Sequence, residues 1–304
     1  MTGRRPSTTQ RVDFLCAGMG RSATTWLASA LRAHPATWLP PRKELHYFTR
    51  SPSFQSASYL SRRSSRWDGV REIARSKEVR TRLRRDLRSA IGHLRIRDLA
   101  WLGRYYIGVP DDTWYLKLFE RDAAYIGGEL TPSYSQLGVA EVRDVQLLCP
   151  QAKILVMLRD PIDWTWSHLK HRSRNGWLER TDLSSPESVV EHLQHSISPR
   201  HYIDVIDTWS SVYGNRSLWL GFFDDVVDDP NRLLTSLAEF LGIDAREFPD
   251  GGPPPINAAS GPSMPREVER ELARLYLPVV AELAERFDGP FEKWLTRAEG
   301  ALTL

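Results

Sequence analysis

The chain has 304 residues, 41% of them hydrophobic, with a net charge of +3 and two cysteines. It is long enough for one large or two modest globular domains with a buried core, and the two cysteines, Cys16 and Cys149, lie in or near apolar runs, which argues for free thiols in a reducing cytosol and against a disulfide framework. No run of about 18 apolar residues occurs, and no apolar stretch follows the arginines of "MTGRRPSTTQR", so neither a membrane span nor a secretory signal is expected and the location expected is cytoplasmic.

In chain order, "VDFLCAG" (Val12 to Gly18) is a short apolar run closed by glycine, the pattern of a buried strand. In "TTWLASALRAHP", Trp26, Leu27, Ala30 and Leu31 have helical spacing that stops before Pro35. In "RKELHYF", read as a strand, Glu44 and His46 would point to one side. From Ser61 to Arg104 the chain turns helical and arginine-rich, an insertion into the surrounding pattern. Glu72, Glu78, Asp86 and Asp98 interleave with those arginines, which favours a solvated helical face over a nucleic-acid surface. A short strand is expected around Ala124 to Gly127, and another from Lys153 to Arg159, running through Asp160-Pro161 into a helix. "SLWLGFFDDV" is a further strand, and Asp229-Pro230 then forms an N-cap with proline at the first helical position. A long loop, Asp250 to Pro265, precedes an amphipathic helix with Val268, Leu272, Leu275, Tyr276 and Val279 on one face. Strands alternating with helices indicate an α/β fold with a mainly parallel sheet.

The turn "AGMGRSATTW" joins the first strand to the first helix. A glycine-bearing turn here points backbone N–H groups at one spot, and the helix dipole adds positive potential. The turn is close to a nucleotide P-loop, but Thr24 occupies the lysine position. Arg21 offers a positive charge, and Ser22, Thr24 and Thr25 offer hydroxyls. This is an anion cradle without the usual Mg-ATP apparatus. No aspartate-rich ligand cluster is evident, so no metal is expected. A nucleotide or small-molecule kinase is the rival reading.

"LRDPIDWTWSHLKH" places Arg159 at a strand end and Ser167 eight residues on, inside the next helix. With the first loop, this pattern resembles the sulfotransferases that use 3′-phosphoadenosine 5′-phosphosulfate (PAPS), in their bacterial and heparan-sulfate-type branch. "HPATWLPPRKELHYF", "GGELTPSYS", "GFFDDVVDDPNRLLTSLAEFLGI" and the stretch from Asn257 to Leu295 resemble further family segments in the same order.

The resemblance implies a P-loop-type three-layer fold, one domain over 1–304 with the helical insertion at about 61–104 inside it. It implies transfer of a sulfuryl group from PAPS to a hydroxyl of a carbohydrate or small-molecule metabolite, releasing adenosine 3′,5′-bisphosphate. It puts the cofactor on Gly20, Arg21, Ser22, Ala23, Thr24, Thr25 and Trp26, its 3′-phosphate on Arg159 and Ser167, and Asn257 and Ser260 near that phosphate. Arg21 would face the leaving phosphate, Glu44 would be the general base, and His46 the second choice. A surface ion pair of Glu44 with Arg42 or Lys43 is the structural alternative. Family departures are Ala23 for glycine, Trp164 for a second arginine, and Leu130 and Thr49 for a lysine and an aspartate of heparan-type enzymes. Trp164, Trp166, Trp177 and Trp209 read first as core or interface residues, with ring stacking the alternative. No nucleic-acid partner is expected, and a homo-oligomer is left open.

Overall fold

Short apolar runs rich in β-branched and aromatic residues form the strands β1 (Phe14–Gly18), β2 (Thr37–Trp38), β3 (Ile126–Leu130), β4 (Lys153–Leu158) and β5 (Leu218–Phe222). The computed structural model describes residues 8–54, 59–92, 96–176, 182–183, 185–196, 198–254 and 263–303. The five strands pair in the order β2-β3-β1-β4-β5, all parallel. Alternate residues of the central strands feed two cores. Leu15, Ala17, Ile154 and Val156 join one, and Phe14, Cys16, Leu155 and Met157 the other. Period-two burial on both faces means helices on both faces, the three-layer α/β fold expected.

The helices are α1 (Thr24–Ala33), α2 (Arg66–Arg75), α3 (Lys77–Gly92), α4 (Ile96–Ile107), α5 (Asp112–Lys117), α6 (Val139–Leu148), α7 (Pro161–Arg174), α8 (Pro186–Ser196), α9 (His201–Tyr213), α10 (Phe223–Asp228), α11 (Pro230–Leu241), α12 (Arg266–Arg286) and α13 (Phe291–Thr303). α1 and α11 pack on the Phe14–Leu155 face, with Leu27, Leu31, Leu233 and Leu237 buried there. α6, α7, α9, α12 and α13 cover the other face. The insertion is the trio α2–α4, which buries Trp101, Leu102, Tyr105 and Tyr106 in the core that also holds Leu45 and Tyr47, with the Trp114 ring between Tyr105 and Tyr47.

Strand order fixes the crevice. β1 is central, the chain runs out to β2 at the edge, and it later crosses from β3 to β4 on the opposite side of β1. The carboxyl ends of β3, β1 and β4 therefore surround a topological switch point, where ligands bind in open α/β sheets.

Two boundaries differ from expectation. β3 starts at Ile126 and continues to Leu130, and β4 stops at Leu158. One expectation is overturned. Glu44 and His46 do not lie on a strand. β2 ends at Trp38, and Pro40 and Pro41 follow without backbone N–H groups to continue a ladder. Glu44 and His46 then take left-handed φ of 64° and 57°.

The start of α7 is fixed from both sides. Asp160 accepts from the Ile162 N–H at 2.8 Å, with Pro161 at the first helical position. Arg297 on α13 donates to Asp160 at 2.9 Å, to Asp163 at 3.0 Å and to Glu269 at 2.8 Å. Burial pushes the Asp160 carboxyl up and the Arg297 guanidinium opposes it. Arg297→Met should leave this buried carboxyl without its cation and lower stability by about 2–4 kcal/mol. Urea unfolding near neutral pH checks this, and a loss below about 0.5 kcal/mol would show that this four-residue cluster is only a surface feature.

Candidate active site

Two loops meet at the crevice. The first, residues 19–23, leaves β1. The Met19 N–H bonds back to the Met157 carbonyl at 2.8 Å, and the Ser22 N–H to the Met19 carbonyl at 3.2 Å. The indole N–H of Trp164, on α7, donates to the Gly20 carbonyl at 2.6 Å and pins the turn. Arg21 and Ala23 take left-handed φ of 70° and 60°. Ala23 stands at the N-cap of α1 and supplies no side-chain cap, so the first-turn N–H groups of α1 have no capping oxygen from it. The Ser22 hydroxyl is buried and has no partner, and neither has the buried Arg159 Nε. Uncapped donors at a helix N-terminus, beside an orphaned hydroxyl and an orphaned guanidinium N–H, fit an anion of phosphate size.

Arg21, Arg159 and Ser167 converge on this loop. Arg21 Nε donates to Ser167 Oγ at 3.3 Å, and Arg159 reaches the Arg21 carbonyl at 3.4 Å. The Arg159 guanidinium lies 4.1 Å from the centre of the Phe223 ring, and the Tyr202 hydroxyl holds the Arg159 carbonyl at 2.8 Å. Burial depresses the Arg21 pKa, and the nearby positive charges of Arg174 and Arg159 depress it further. The site is thus cationic beyond its own neutralisation. The Trp26 indole packs on Gly252 and donates to the Pro253 carbonyl at 2.7 Å. That loop leads into 255–262, so Asn257 and Ser260 lie outside the described residues, as does Trp177. Trp166 is buried and Trp209 fully so, both in the core.

The second loop carries Lys43, Glu44 and His46. Lys43 Nζ reaches Thr24 Oγ1 at 3.2 Å and Thr25 Oγ1 at 3.0 Å, and lies 3.3 Å from the Glu44 carboxylate. His46 Nε2 is 3.7 Å from the other carboxylate oxygen, and His46 Nδ1 is 3.0 Å from Ser133 Oγ. Burial would raise the Glu44 carboxyl, but the adjacent His46 ring and the charge of Lys43 outweigh it and hold it down at about 2. Arg42 is engaged elsewhere, with Asp86 on α3 at 2.8 Å and the Tyr106 hydroxyl at 3.0 Å.

The turn 44–46 is held by β3. Between its two left-handed residues, the Leu45 N–H donates to Glu129 Oε2 at 3.3 Å and to Thr131 Oγ1 at 3.1 Å. The buried Glu129 carboxyl also accepts from Tyr115 at 2.7 Å, Tyr134 at 2.9 Å and Thr131 at 2.6 Å. Burial raises its pKa, and these donors oppose that rise. The Tyr134 hydroxyl in turn accepts the Tyr47 N–H at 3.1 Å.

Sequence reasoning missed Lys43, Glu129, Thr131 and Tyr134 as members of this site. Lys43 stands next to Glu44 in "RKELHYF", and the other three lie in "GGELTPSY". The signal was two polar clusters in one chain, but only the fold shows that they meet.

A parallel sheet of this order, with an anion cradle after its central strand, defines a P-loop-type α/β protein. Residues 13–247 match the family described as the sulfotransferase family, so the chain belongs to that family. No curated protein matches it. Among solved structures it is similar to the sulfotransferase from Alicyclobacillus acidocaldarius, at 22% identity and a TM-score of 0.56, over 93% of this chain and 99% of that one. It is also similar to the sulfotransferase domain from the Synechococcus PCC 7002 olefin synthase, at 18% identity and a TM-score of 0.50, over 100% of this chain and 90% of that one.

Glu129→Gln keeps the shape but leaves one oxygen where four donors arrive. It should lower stability by about 1–3 kcal/mol and speed amide exchange at Leu45 about tenfold or more, because the turn loses its anchor. Native-state hydrogen exchange measures this, and an unchanged Leu45 rate would assign the turn's geometry to something else.

Proposed function

We propose that this protein is a PAPS-dependent sulfotransferase that acts on a hydroxyl of a carbohydrate or small-molecule metabolite and releases adenosine 3′,5′-bisphosphate. The observation that carries this reading is the join between the two loops. An uncapped, cation-lined anion cradle and an ionised carboxylate share one lysine, Lys43. A donor with a phosphosulfate end and a separate 3′-phosphate suits two cationic stations, one at residues 20–25 with Arg21 and one at Arg159 and Ser167. Family members use PAPS, which supports the same donor.

In the proposed reaction the acceptor oxygen bonds to sulfur as the sulfur–oxygen bond to the phosphate breaks. The leaving bisphosphate keeps the electron pair, and the hydroxyl proton goes to Glu44. Arg21 and the α1 N-terminus are placed to meet the charge growing on the phosphate. Lys43 has a double part. While it pairs with Glu44, the carboxylate is a weak base held at about 2. An incoming anion competes for Lys43, removes one of the charges that depress Glu44 and strengthens it as a base. His46 stays beside the carboxylate, itself oriented by Ser133.

The acceptor side is assigned to the insertion. A cavity of about 540 Å³ lies between α3, α4, the end of α1 and the segment leading into the 44–46 turn. Trp38, Leu39 and Leu102 give it apolar walls, and Arg32, Arg85 and Asp86 give it polar ones. None of its lining residues belongs to the cradle or to the Lys43–His46 turn, so it borders the proposed chemistry and would take the acceptor's distal part.

A kinase reading gains from Lys43, which reaches the cradle as a P-loop lysine would. It loses because Lys43 already engages the Thr25 hydroxyl, the one that would face Mg²⁺, together with that of Thr24 at the lysine position. Calorimetry should therefore show adenosine 3′,5′-bisphosphate binding about ten- to a hundredfold more tightly than ADP or AMP, and Arg159→Ala should erase that preference. Equal affinity for all three nucleotides would remove the assignment of Arg159 and Ser167.

Glu44→Gln should lower kcat about 10²- to 10⁴-fold with little change in bisphosphate affinity. The sign of the pH effect follows from Lys43. With Glu44 near 2 in the free enzyme, kcat/KM should show no acid limb from it above about pH 4, whereas kcat should show one at higher pH, absent in the Gln variant. A variant with near wild-type kcat, and His46→Ala inactive, would move the base to His46.

A further inference from the structure

The insertion has a second surface that the catalytic reading does not use. Between Ser61 and Arg104 the sequence holds thirteen arginines and one lysine against five carboxylates, a net +9 in a chain whose total is +3. The remainder of the chain is therefore net −6. Six of the large apolar side chains most open to solvent lie on these same helices: Trp67, Val70, Ile91, Ile96, Leu99 and Ile107.

Their positions are not scattered. α4 buries Trp101, Leu102, Tyr105 and Tyr106 on one face. Its opposite face exposes Ile96, Leu99, Ala100, Gly103 and Ile107, spaced i, i+3, i+4, i+7 and i+11, an apolar stripe along the whole helix. α2 exposes Trp67, Val70 and Ala74 at i, i+3 and i+7. The two helices touch backbone to backbone at Gly69, where a Cβ would lie 2.6 Å from the Tyr106 carbonyl oxygen and 3.0 Å from the Ile107 Cα. Val70 and Ile107 thus sit at one junction. Trp67 is 71% and Ile96 81% exposed, and exposed arginines, among them Arg66, Arg71, Arg75 and Arg97, flank the stripes. A helix apolar on both faces has its second face covered by something.

We propose that α2 and α4 form a docking surface for an anionic lipid bilayer, on which the protein lies peripherally. Charge complementarity selects this occupant. A second copy of the chain meeting the same face would set one +9 region against another. A nucleic acid would use the arginines but leave isoleucine and leucine unmatched. An anionic lipid interface uses both, the arginines at the headgroups and the apolar stripe at the acyl boundary. No helix of the described residues is long and apolar enough to cross a membrane, so the surface rests on the bilayer. The insertion is tied to the 44–46 turn through Arg42, Asp86 and Tyr106, so docking would set the cleft at a fixed height above the lipid.

The test is co-sedimentation of the purified full chain with two vesicles, phosphatidylcholine alone and phosphatidylcholine with about 30% phosphatidylglycerol, at low and high salt. It needs no enzymatic turnover, so its failure is separate from failure of the sulfotransferase reading. The expected result is binding to the anionic vesicles only, weakened by salt. It should fall about tenfold or more in the variant carrying Trp67→Ser, Ile96→Ser and Leu99→Ser with an unchanged melting curve. Should that variant not fold, Arg66→Glu with Arg97→Glu must abolish binding instead. Equal behaviour toward both vesicles overturns the proposal. So does wild-type binding by the serine variant, or by the glutamate variant where that one is used. Duplex DNA displacing the vesicles with the same dependence on the stripe, or a dimer that the serine variant dissociates without altering vesicle binding, would also overturn it and assign the face to those partners.

Discussion

The backbone N–H of Leu45 bonds to side-chain oxygens of one short segment, Glu129 and Thr131, as β3 runs into the crevice. Much of the candidate site follows from that bond. A buried N–H must be paired, and this pair forces the chain to present Leu45 inward, so Glu44 and His46 on either side turn toward the cradle. The carboxyl that accepts it is buried and is satisfied by two tyrosines and a threonine. Such a network tolerates little displacement, because any lost donor leaves a polar oxygen in an apolar interior. The rigid sheet thus transmits its position to a loop that has no strand partner of its own.

Backbone strain sits in the same place. Among the described residues, the non-glycine residues with left-handed φ are Arg21, Ala23, Glu44 and His46, two on each loop. Of the four only His46 is of a type enriched in this region, which favours asparagine, aspartate and histidine among the non-glycine residues. Strain of this kind persists where the surroundings over-determine it, and both loops have that support. Trp164 and Met157 hold the first, and Glu129, Thr131 and Tyr134 hold the second. The two tense loops meet through Lys43, whose ammonium joins hydroxyls of one to the carboxylate of the other.

Four of the five parallel strands, the helices α1, α7, α11 and α12 and the glycine-bearing turn were legible in the sequence because each is local, whereas the two-residue edge strand β2 was too short to announce itself. A five-residue apolar run, a glycine turn and 3.6-residue spacing announce themselves within a short window. Asp229 was legible as a cap for the same reason, and it accepts the Arg232 N–H. The second loop was not. Its expected strand failed on Pro40 and Pro41, and Glu44 and His46 meet through a strained turn that no local pattern announces. The lysine missing from the P-loop position was replaced from nineteen residues away in sequence, by Lys43 reaching Thr24. Glu129 stood in sequence only as part of "GGELTPSYS", because its partners, at Leu45, Tyr115 and Tyr134, come from three other segments.

Charge is distributed in the molecule as two separate concentrations of arginine with different surroundings. At the cradle, Arg21, Arg159 and Arg174 lie close enough for their mutual repulsion to depress Arg21, a cost the fold retains where an anion would relieve it. On the insertion, the exposed arginines repel one another little through solvent, and several have helical partners such as Glu78 and Asp68. The first set is compressed around one loop, with Arg21 and Arg159 half-buried and Arg174 exposed. The second is dispersed beside the exposed apolar stripes of α2 and α4. Arg42 lies between the two, buried against Tyr105 and Tyr106 and bonded to Asp86. It is next in sequence to Lys43, so a shift of α3 would be felt at the lysine that pairs with Glu44.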